Sequence, residues 1–362
     1  MQIRTDRRQL HRIPELDKSL PQTLTYLKKA LEGLNCRVFS PMEGALCAWF
    51  DFGRETAIAF RADMDALPIS EKTGAEYASL HPGCMHACGH DGHMAIVLEL
   101  ARRLSEKKTL PHNVLLVFQP AEETTGGARD LCETGIFEAY RVESIFGLHL
   151  WPGLSPGVIA SRAGELMARS CEVNVDIFGK SAHIAKAREG RDALAAGVEF
   201  YRRAVEMEES LPESVFRLLK FGKMESGTVR NALSAHTHLE GSLRAFQDEI
   251  FEGLREGLRK IGREMEKATG CRVEISMNDG YPAVMNPEAL ARRAEAAAPF
   301  AKLDAPSMTA EDFSWYQRRL PGMFFFLGVG DTPALHADTF DFDDALLKAG
   351  ADYFEQLAEN FL

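Results

Sequence analysis

The chain has 362 residues, 45% of them hydrophobic and 26% charged, which is the balance of an ordinary globular protein. Its formal charge of −11 excludes the strongly basic character on which nucleic-acid and anionic-membrane binding rest. A chain of this length usually divides into two domains.

The start, Met1-Gln-Ile-Arg-Thr-Asp, carries no apolar leader, and no run of about 18 apolar residues follows. The seven cysteines (36, 47, 84, 88, 132, 171 and 271) are odd in number and scattered, as expected of reduced thiols. A cytoplasmic protein is the expectation, with no nucleic-acid and no membrane partner. In chain order, Asp17 to Gly33 reads as a first helix and Thr56 to Ala62 as a buried strand. Gly92 to Lys107 is helical by its apolar spacing of three and four, through Met94, Val97, Leu98, Leu100, Ala101 and Leu104. Asn113 to Phe118 and Ser144 to Leu150 are further short strands. This alternation implies a mostly parallel sheet covered by helices.

The middle of the chain follows a different pattern. Ser170 to Phe178 alternates as a strand, Asp192 to Glu209 is helical, and Ser214 to Gly222 and Ala235 to Arg244 are strands. Gln247 to Thr269 is a long amphipathic helix and Cys271 to Met277 a last strand. The β-α-β-β-α-β order is that of a ferredoxin-like unit. Helix-forming Pro287 to Ala297 and strand-like Met323 to Gly328 then resume the first pattern. The expected architecture is an α/β domain formed by residues 1–165 and 281–362, with an α+β satellite inserted at 166–280.

The densest chemistry lies in Met85-His-Ala-Cys-Gly-His-Asp-Gly-His93. A thiol and three imidazoles in nine residues suit a borderline transition metal such as zinc. Cys88 and His90, two apart across a glycine, point to one side if the backbone is extended. A buried thiol beside a hydrogen-bonded histidine, or a structural zinc site of Cys84, Cys88, His90 and His93, are the alternatives at this point. Acidic and imidazole groups also follow the strands of the larger domain: Asp63 and Asp65, Glu122 and Glu123, His149, and His336. Open α/β sheets bind ligands at the carboxyl ends of their strands, so these groups should converge. The adjacent Glu122 and Glu123 can divide the work, one ligating a metal and the other acting as general base. Gly153-Leu-Ser155-Pro-Gly157 mimics a nucleophile elbow, but the extended-looking Val158 to Ser161 follows it where a helix is needed. Gly179-Lys-Ser181 lacks the upstream glycine of a phosphate loop.

Several segments then occur in a familiar order. They are His11-Arg-Ile-Pro-Glu15, Arg61-Ala-Asp-Met-Asp-Ala-Leu-Pro68, Met85 to His93, Phe118-Gln-Pro-Ala-Glu-Glu123, Gly147-Leu-His149, Gly179-Lys-Ser-Ala-His183, Gly227-Thr-Val-Arg-Asn231, Met308-Thr-Ala-Glu-Asp-Phe313 and Leu335-His336. With them the chain resembles the N-acyl-amino-acid amidohydrolases, a branch of the dinuclear-metal aminoacylase and carboxypeptidase family that includes hippurate hydrolases, indole-acetyl-amino-acid hydrolases and N-acetyl-diaminopimelate deacetylases. The resemblance implies two divalent metal ions per subunit, zinc or manganese foremost and cobalt or nickel as further options, held by Cys88, His90, Glu123, His149 and His336. It implies Glu122 as general acid/base, Asp65 as a residue tuning the metals from outside their ligands, and His183 as an oxyanion stabiliser. Asn231 and Arg244 match substrate-binding positions. The implied fold is a metallopeptidase-like mixed sheet flanked by helices, with a ferredoxin-like satellite through which a homodimer forms. The implied substrate is a small N-acyl amino acid. The same machinery would serve a dipeptidase or carboxypeptidase. A catalytically silent metal- or amino-acid-binding protein is the reading outside the hydrolases, and Glu122 beside the ligand set speaks against it.

The departures from the family pattern cluster at the substrate end. His183-Ile-Ala-Lys186-Ala-Arg188 lacks the usual proline, Ala232-Leu-Ser234 replaces a Val-Ile-Pro run, and Leu16 to Pro21 replaces the usual residues after Glu15. The added charge at Lys186 and Arg188 suggests a more anionic substrate.

Overall fold

A computed structural model describes residues 2–362. The chain opens with α1 (Gln2–His11), α2 (Pro21–Leu31), β1 (Arg37–Phe39), β2 (Leu46–Phe50) and β3 (Ala57–Asp63). The long helix α3 (His90–Glu106) and β4 (Asn113–Gln119) come next. They are followed by α4 (Gly127–Glu133), α5 (Ile136–Ala139), β5 (Val142–Pro152), β6 (Ile159–Ser161) and β7 (Gly164–Met167). The middle is β8 (Arg169–Phe178), α6 (Ala193–Glu209), β9 (Arg217–Ser226), β10 (His236–Ala245), α7 (Asp248–Thr269) and β11 (Arg272–Met277). The remainder is β12 (Val284–Asn286), α8 (Glu288–Ala297), β13 (Ala301–Lys302), α9 (Ser314–Gln317), β14 (Gly322–Gly330) and α10 (Leu347–Asn360). The chain divides into two compact units. One holds the chain up to Leu166, Met285–Ala305 and Asp312–Leu362, the other Met167–Val284 and Pro306–Glu311.

The first unit is built on an eight-stranded sheet of order β1-β2-β4-β3-β5-β14-β6-β13. Its centre, β4-β3-β5-β14, is parallel, and antiparallel pairs flank it at β1/β2, β2/β4 and β14/β6. The whole is thus the mixed sheet of the expected α/β class. Strands β3 and β4 are buried along their whole length, as their apolar runs Ala57 to Phe60 and Val114 to Phe118 require of strands covered on both faces. Parallel pairing has a direct consequence: β3, β4, β5 and β14 present their carboxyl ends at one edge.

The expected helix from Asp17 begins only at Pro21. Asp17 takes a left-handed φ of 56°, which ends any helix there. The Glu15 carboxylate instead accepts the N–H groups of Gln22 and Thr23 and so caps α2 from outside it. Helix α1 was not expected at all. Its buried side includes Asp6, Arg7 and His11 beside Ile3 and Leu10, so it carries no continuous apolar stripe. These polar groups are paired. Arg7 donates to Asp91 (2.8 Å), Asp344 (3.0 Å) and Asp341 (2.7 Å), and its guanidinium lies over the Phe342 ring at 4.3 Å. His11 lies 2.8 Å from the same Asp91 oxygen and 3.3 Å from Glu71. Burial alone would lower the His11 pKa, but Asp91 and Glu71 raise it to about 9.

The second unit has the order β11-β8-β10-β9, antiparallel throughout, which is the ferredoxin-like arrangement. One face is apolar and covered by α6 and α7. Cys171, Val173, Val175 and Ile177 of β8 pack there against Phe200 of α6 and Phe251, Leu254 and Leu258 of α7. The period-two alternation of β8 is what places every second residue on that face. Among the described residues, no helix is long and apolar enough to cross a membrane.

Removing Arg7 leaves the fully buried Asp91 without its guanidinium partner and facing His11, while Asp344 keeps Arg8 (2.6 Å) and Arg4 (3.2 Å). Arg7→Met is expected to destabilise the first unit by about 3–5 kcal/mol. Trp49, Trp151 and Trp315 all lie in that unit, so tryptophan fluorescence during urea unfolding reports on it alone.

Candidate metal centre

Helix α3 begins at Gly89–His90 with Gly89 in the left-handed region (φ 86°), and a Cβ there would come within 2.9 Å of Leu150 Cδ1. That turn carries Cys88 and His90 to the sheet edge. His90 Nδ1 donates to the backbone carbonyl of Asp65 (2.8 Å), which leaves Nε2 as a lone-pair nitrogen with no hydrogen bond. Nε2 lies 3.6 Å from Asp63 and 3.8 Å from Glu123 Oε1. At the end of β5, His149 Nδ1 donates to the Leu150 carbonyl (2.7 Å), and its Nε2 lies 3.3 Å from Cys88 Sγ.

Beyond β4 the chain turns through Ala121, a buried non-glycine residue at φ 58°, into Glu122 and Glu123. The Asp65 carboxylate accepts both of their backbone N–H groups, at 2.9 and 3.0 Å. Asp65 therefore fixes where both glutamates start. Beyond β14, His336 also adopts a left-handed conformation (φ 67°), and its N–H donates to the Ala87 carbonyl (2.8 Å). Its Nε2 lies 3.3 Å from both Cys88 Sγ and Glu123 Oε1. Two strained non-glycine residues thus flank one cluster, the distribution expected where structure is held for function.

The potential ligand atoms lie within 4.8 Å of one another in three overlapping groups: Cys88, His90 and His149; Cys88, Glu123 and His336; His90, Glu122 and Glu123. The Cys88 sulfur belongs to two of these groups. Burial, and then the charges of Glu123 and Glu122, push the Cys88 thiol well above its ordinary pKa. Burial pushes His149 well below the usual imidazole range. An added cation reverses the first effect and takes a neutral imidazole as it stands. His90 Nε2 and Glu123 Oε1 are buried without a properly formed hydrogen bond, which is costly unless an ion completes them. Thiolate, imidazole and carboxylate donors grouped around one shared sulfur fit two divalent ions.

Other candidates from the cysteine–histidine segment are used elsewhere. His93 Nδ1 donates to Asp63 (2.6 Å) while its Nε2 accepts from Leu150 N–H (3.0 Å), so neither nitrogen is free for a metal. Cys84 donates to the Pro14 carbonyl, and Asp91 is held by Arg7 and His11. His86 is buried with both nitrogens unpaired and is driven down to about 3 by burial. A polar layer behind the centre had no counterpart in the sequence reading. Arg61 donates to Asp63 (2.6 Å), Gln119 (2.8 Å) and Asp312 (2.8 Å), and Gln119 donates to Asp312 (2.7 Å). Despite burial, Arg61 with His90 and His93 holds Asp63 well below the usual carboxylate range. The available signal was Arg61-Ala-Asp63 itself, a charge pair on one face of an otherwise apolar strand.

His183, Asn231 and Arg244 all lie in the second unit. His183 and Ala232 form a β-bridge, and the Asn231 carbonyl accepts from Ile184 N–H (3.0 Å), so His183 and Asn231 sit on adjoining segments. Arg244 donates to the Met308 carbonyl (2.5 Å) and the Ser242 hydroxyl (3.3 Å). Both of these partners are neutral, and burial lowers the Arg244 pKa.

A buried dinuclear donor set at the carboxyl edge of a mixed α/β sheet is the arrangement of a metallohydrolase. Residues 59–360 match the model of peptidase family M20/M25/M40, and the chain belongs to that family of metal-dependent hydrolases. It is 35% identical over 363 residues to the N-acetyldiaminopimelate deacetylase of Lacticaseibacillus casei, covering 96% of this chain and 94% of the relative. It is 33% identical to an uncharacterized hydrolase of Staphylococcus haemolyticus, covering 98% and 97%. Among solved structures it is similar to the YxeP protein of Bacillus subtilis, described as a dinuclear metal binding peptidase of the M20 family. That likeness has a TM-score of 0.85 and 30% identity, and it covers 99% and 96% of the two chains. A putative aminohydrolase from methicillin-resistant Staphylococcus aureus gives a TM-score of 0.88 at 26% identity, over 98% and 95%.

Asp63 touches the centre only through Arg61, His90 and His93. Asp63→Asn is expected to weaken metal retention about 10–100-fold while leaving Cys88, His90, Glu123, His149 and His336 unchanged. Equilibrium dialysis with elemental analysis checks this; unchanged affinity would show that His93 and Arg61 need no charge at position 63.

Proposed function

We propose that the enzyme hydrolyses the amide bond of N-acyl amino acids, with Cys88, His90, Glu123, His149 and His336 holding two divalent ions. The observation that carries this reading is Glu122: a second buried carboxylate beside the ligand Glu123, oriented through Asp65, has no place in a site that only binds metal. When bound, the ions would supply Lewis acidity toward a water molecule and the scissile carbonyl. Glu122 then accepts the proton that the attacking water gives up as its oxygen adds to the carbonyl carbon. As the C–N bond breaks, the same carboxyl returns that proton to the departing nitrogen. The products are a carboxylate and a free amino acid. Asp65 keeps Glu122 and Glu123 in register during both transfers.

His183 is assigned to the developing oxyanion, and Asn231 and Arg244 to the substrate, Arg244 through its fork of N–H donors toward an α-carboxylate. The relatives named N-acetyldiaminopimelate deacetylase make that anionic acyl amino acid the first compound to test. The exposed Lys186 and Arg188 on the short 3-10 helix Ile184–Glu189 support an anionic preference. Zinc or manganese is the assigned metal, with cobalt or nickel as further options. The free state of all seven cysteines supports a cytoplasmic setting.

Residues 166–280 are assigned as a satellite domain through which two copies pair. Helix α6 leaves Leu194, Val198 and Tyr201 exposed at spacings of four and three, and β9 is an edge strand carrying the exposed Met224. Val198→Glu is expected to shift the protein from dimer to monomer in sedimentation equilibrium. A wild type that is monomeric at every concentration refutes the pairing.

Glu122→Gln is expected to lower turnover of N-acetyl and N-benzoyl amino acids by at least about 10²-fold, with bound metal unchanged. Wild-type turnover in that variant overturns the mechanism. A substrate panel that yields only dipeptide cleavage overturns the substrate class and leaves the role of Glu122 intact.

A further inference from the structure

We propose that Asp312 is a positioning residue for the general acid/base: its side chain clasps the loop that carries Glu122, and its backbone N–H steadies the Glu122 carboxyl. The inference rests on the role given to Glu122 above. That loop leaves β4 at Gln119 and runs into the first turn of α4 at Ala128. Its foot is closed, because the Ala121 carbonyl accepts the N–H groups of Gly126 (3.0 Å) and Gly127 (3.2 Å). The fully buried Asp312 reaches both sides of this foot. Its Oδ2 accepts from Gln119 Nε2 (2.7 Å) and from Ala128 N–H (3.0 Å), and its Oδ1 accepts from Arg61 Nη2 on β3 (2.8 Å). All of these residues lie in the first unit.

Anchoring the side chain at three points fixes the adjoining backbone, and the Asp312 N–H donates to Glu122 Oε1 at 3.4 Å. Hydrogen bonds of catalytic groups are often this long until substrate binds. Asp65 holds the backbone end of Glu122 and Asp312 the carboxyl end, so one flexible side chain is located at both ends. Such control matters because a misplacement of about 1 Å in a reacting group can cost roughly 100-fold in rate. Balancing the Arg61 charge does not require this geometry. Asp63 already pairs with that guanidinium at 2.6 Å, and the second oxygen of Asp312 serves the loop. Asparagine cannot stand in for the carboxylate, since its one carbonyl oxygen would face three converging N–H donors and its amide would turn N–H groups toward the rest. Gln119 cannot invert to compensate, because its Oε1 already accepts from Arg61 Nε (2.8 Å) and the Tyr316 hydroxyl (2.8 Å).

The test is a double-mutant cycle on the metal-loaded full chain, with N-acetyl and N-benzoyl amino acids as substrates. Asp312→Asn alone is expected to lower kcat about 10–100-fold, with KM and bound metal unchanged. In the Glu122→Gln background the same substitution is expected to change kcat by less than about twofold, because the group it positions is gone. A further loss of tenfold in that background, loss of metal in parallel with activity, or wild-type kcat in Asp312→Asn each overturns the proposal. Should Asp312→Asn fail to fold, Asp312→Glu keeps the charge and lengthens the arm by one methylene. It is expected to lower kcat in the wild-type background and not in Glu122→Gln, and wild-type kcat in it overturns the proposal. The two failures are separable: wild-type turnover in Glu122→Gln refutes the role of Glu122, whereas an impaired Glu122→Gln beside an unimpaired Asp312 variant refutes the positioning alone.

Discussion

Crowding of electron-pair donors is the constraint on which this structure turns. A thiol, two adjacent glutamates and three imidazoles meet at one sheet edge, with most of them withdrawn from water. Without a cation, the thiol is held protonated, and a buried nitrogen and a buried carboxylate oxygen go unsatisfied. Such a cluster persists only where the rest of the fold fixes it or an ion completes it. Both conditions shape the first unit. Its parallel strands deliver the donors, and its buried polar residues stop those donors from drifting apart.

Two buried cations bear on the centre through different neighbours. Arg7 pairs with Asp91, in the first turn of α3, where a carboxylate also meets the favourable end of the helix dipole. That pairing sets the helix start, and with it Cys88 and His90. Arg61 binds Asp63 and Asp312, and Asp63 in turn orients His93. Neither pair is a strong argument for net stability, since burying charge is costly. Their evident use is geometric: each holds in place a segment that carries donor groups of the centre.

Much of this was legible in the sequence because it follows local rules. The apolar runs of β3 and β4, the alternation of β8 and the spacing in α3 each announce their element directly. The Cys88-Gly-His90 pattern and the Glu122-Glu123 pair were visible as unusual chemistry at segment ends. What was not legible depends on partners far along the chain. Helix α1 buries Asp6, Arg7 and His11, which reads as solvent-facing polarity until Asp91, Asp341 and Asp344 are placed around it. The start of α2 depends on Glu15, outside the helix. Asp65 looks equivalent to Asp63 in sequence, yet one clamps the backbone of two glutamates while the other orients His93.

Two of the three segments that depart from the family pattern, both in the second unit, are joined to each other. Ile184 N–H donates to the Asn231 carbonyl, Leu233 N–H to the Ala182 carbonyl, and His183 bridges Ala232. The run after His183 and the run after Asn231 therefore form one backbone ladder, and a change of course in either must be matched in the other. Proline is absent from both. At position 234, where a proline would fix φ, Ser234 supplies order differently: its hydroxyl donates to the His236 carbonyl (2.7 Å) and accepts from Ser226 (2.8 Å). Hydrogen bonds of this kind hold a turn while leaving it able to adjust. A substitution in either run is therefore a change to the ladder as a whole and not to one independent position.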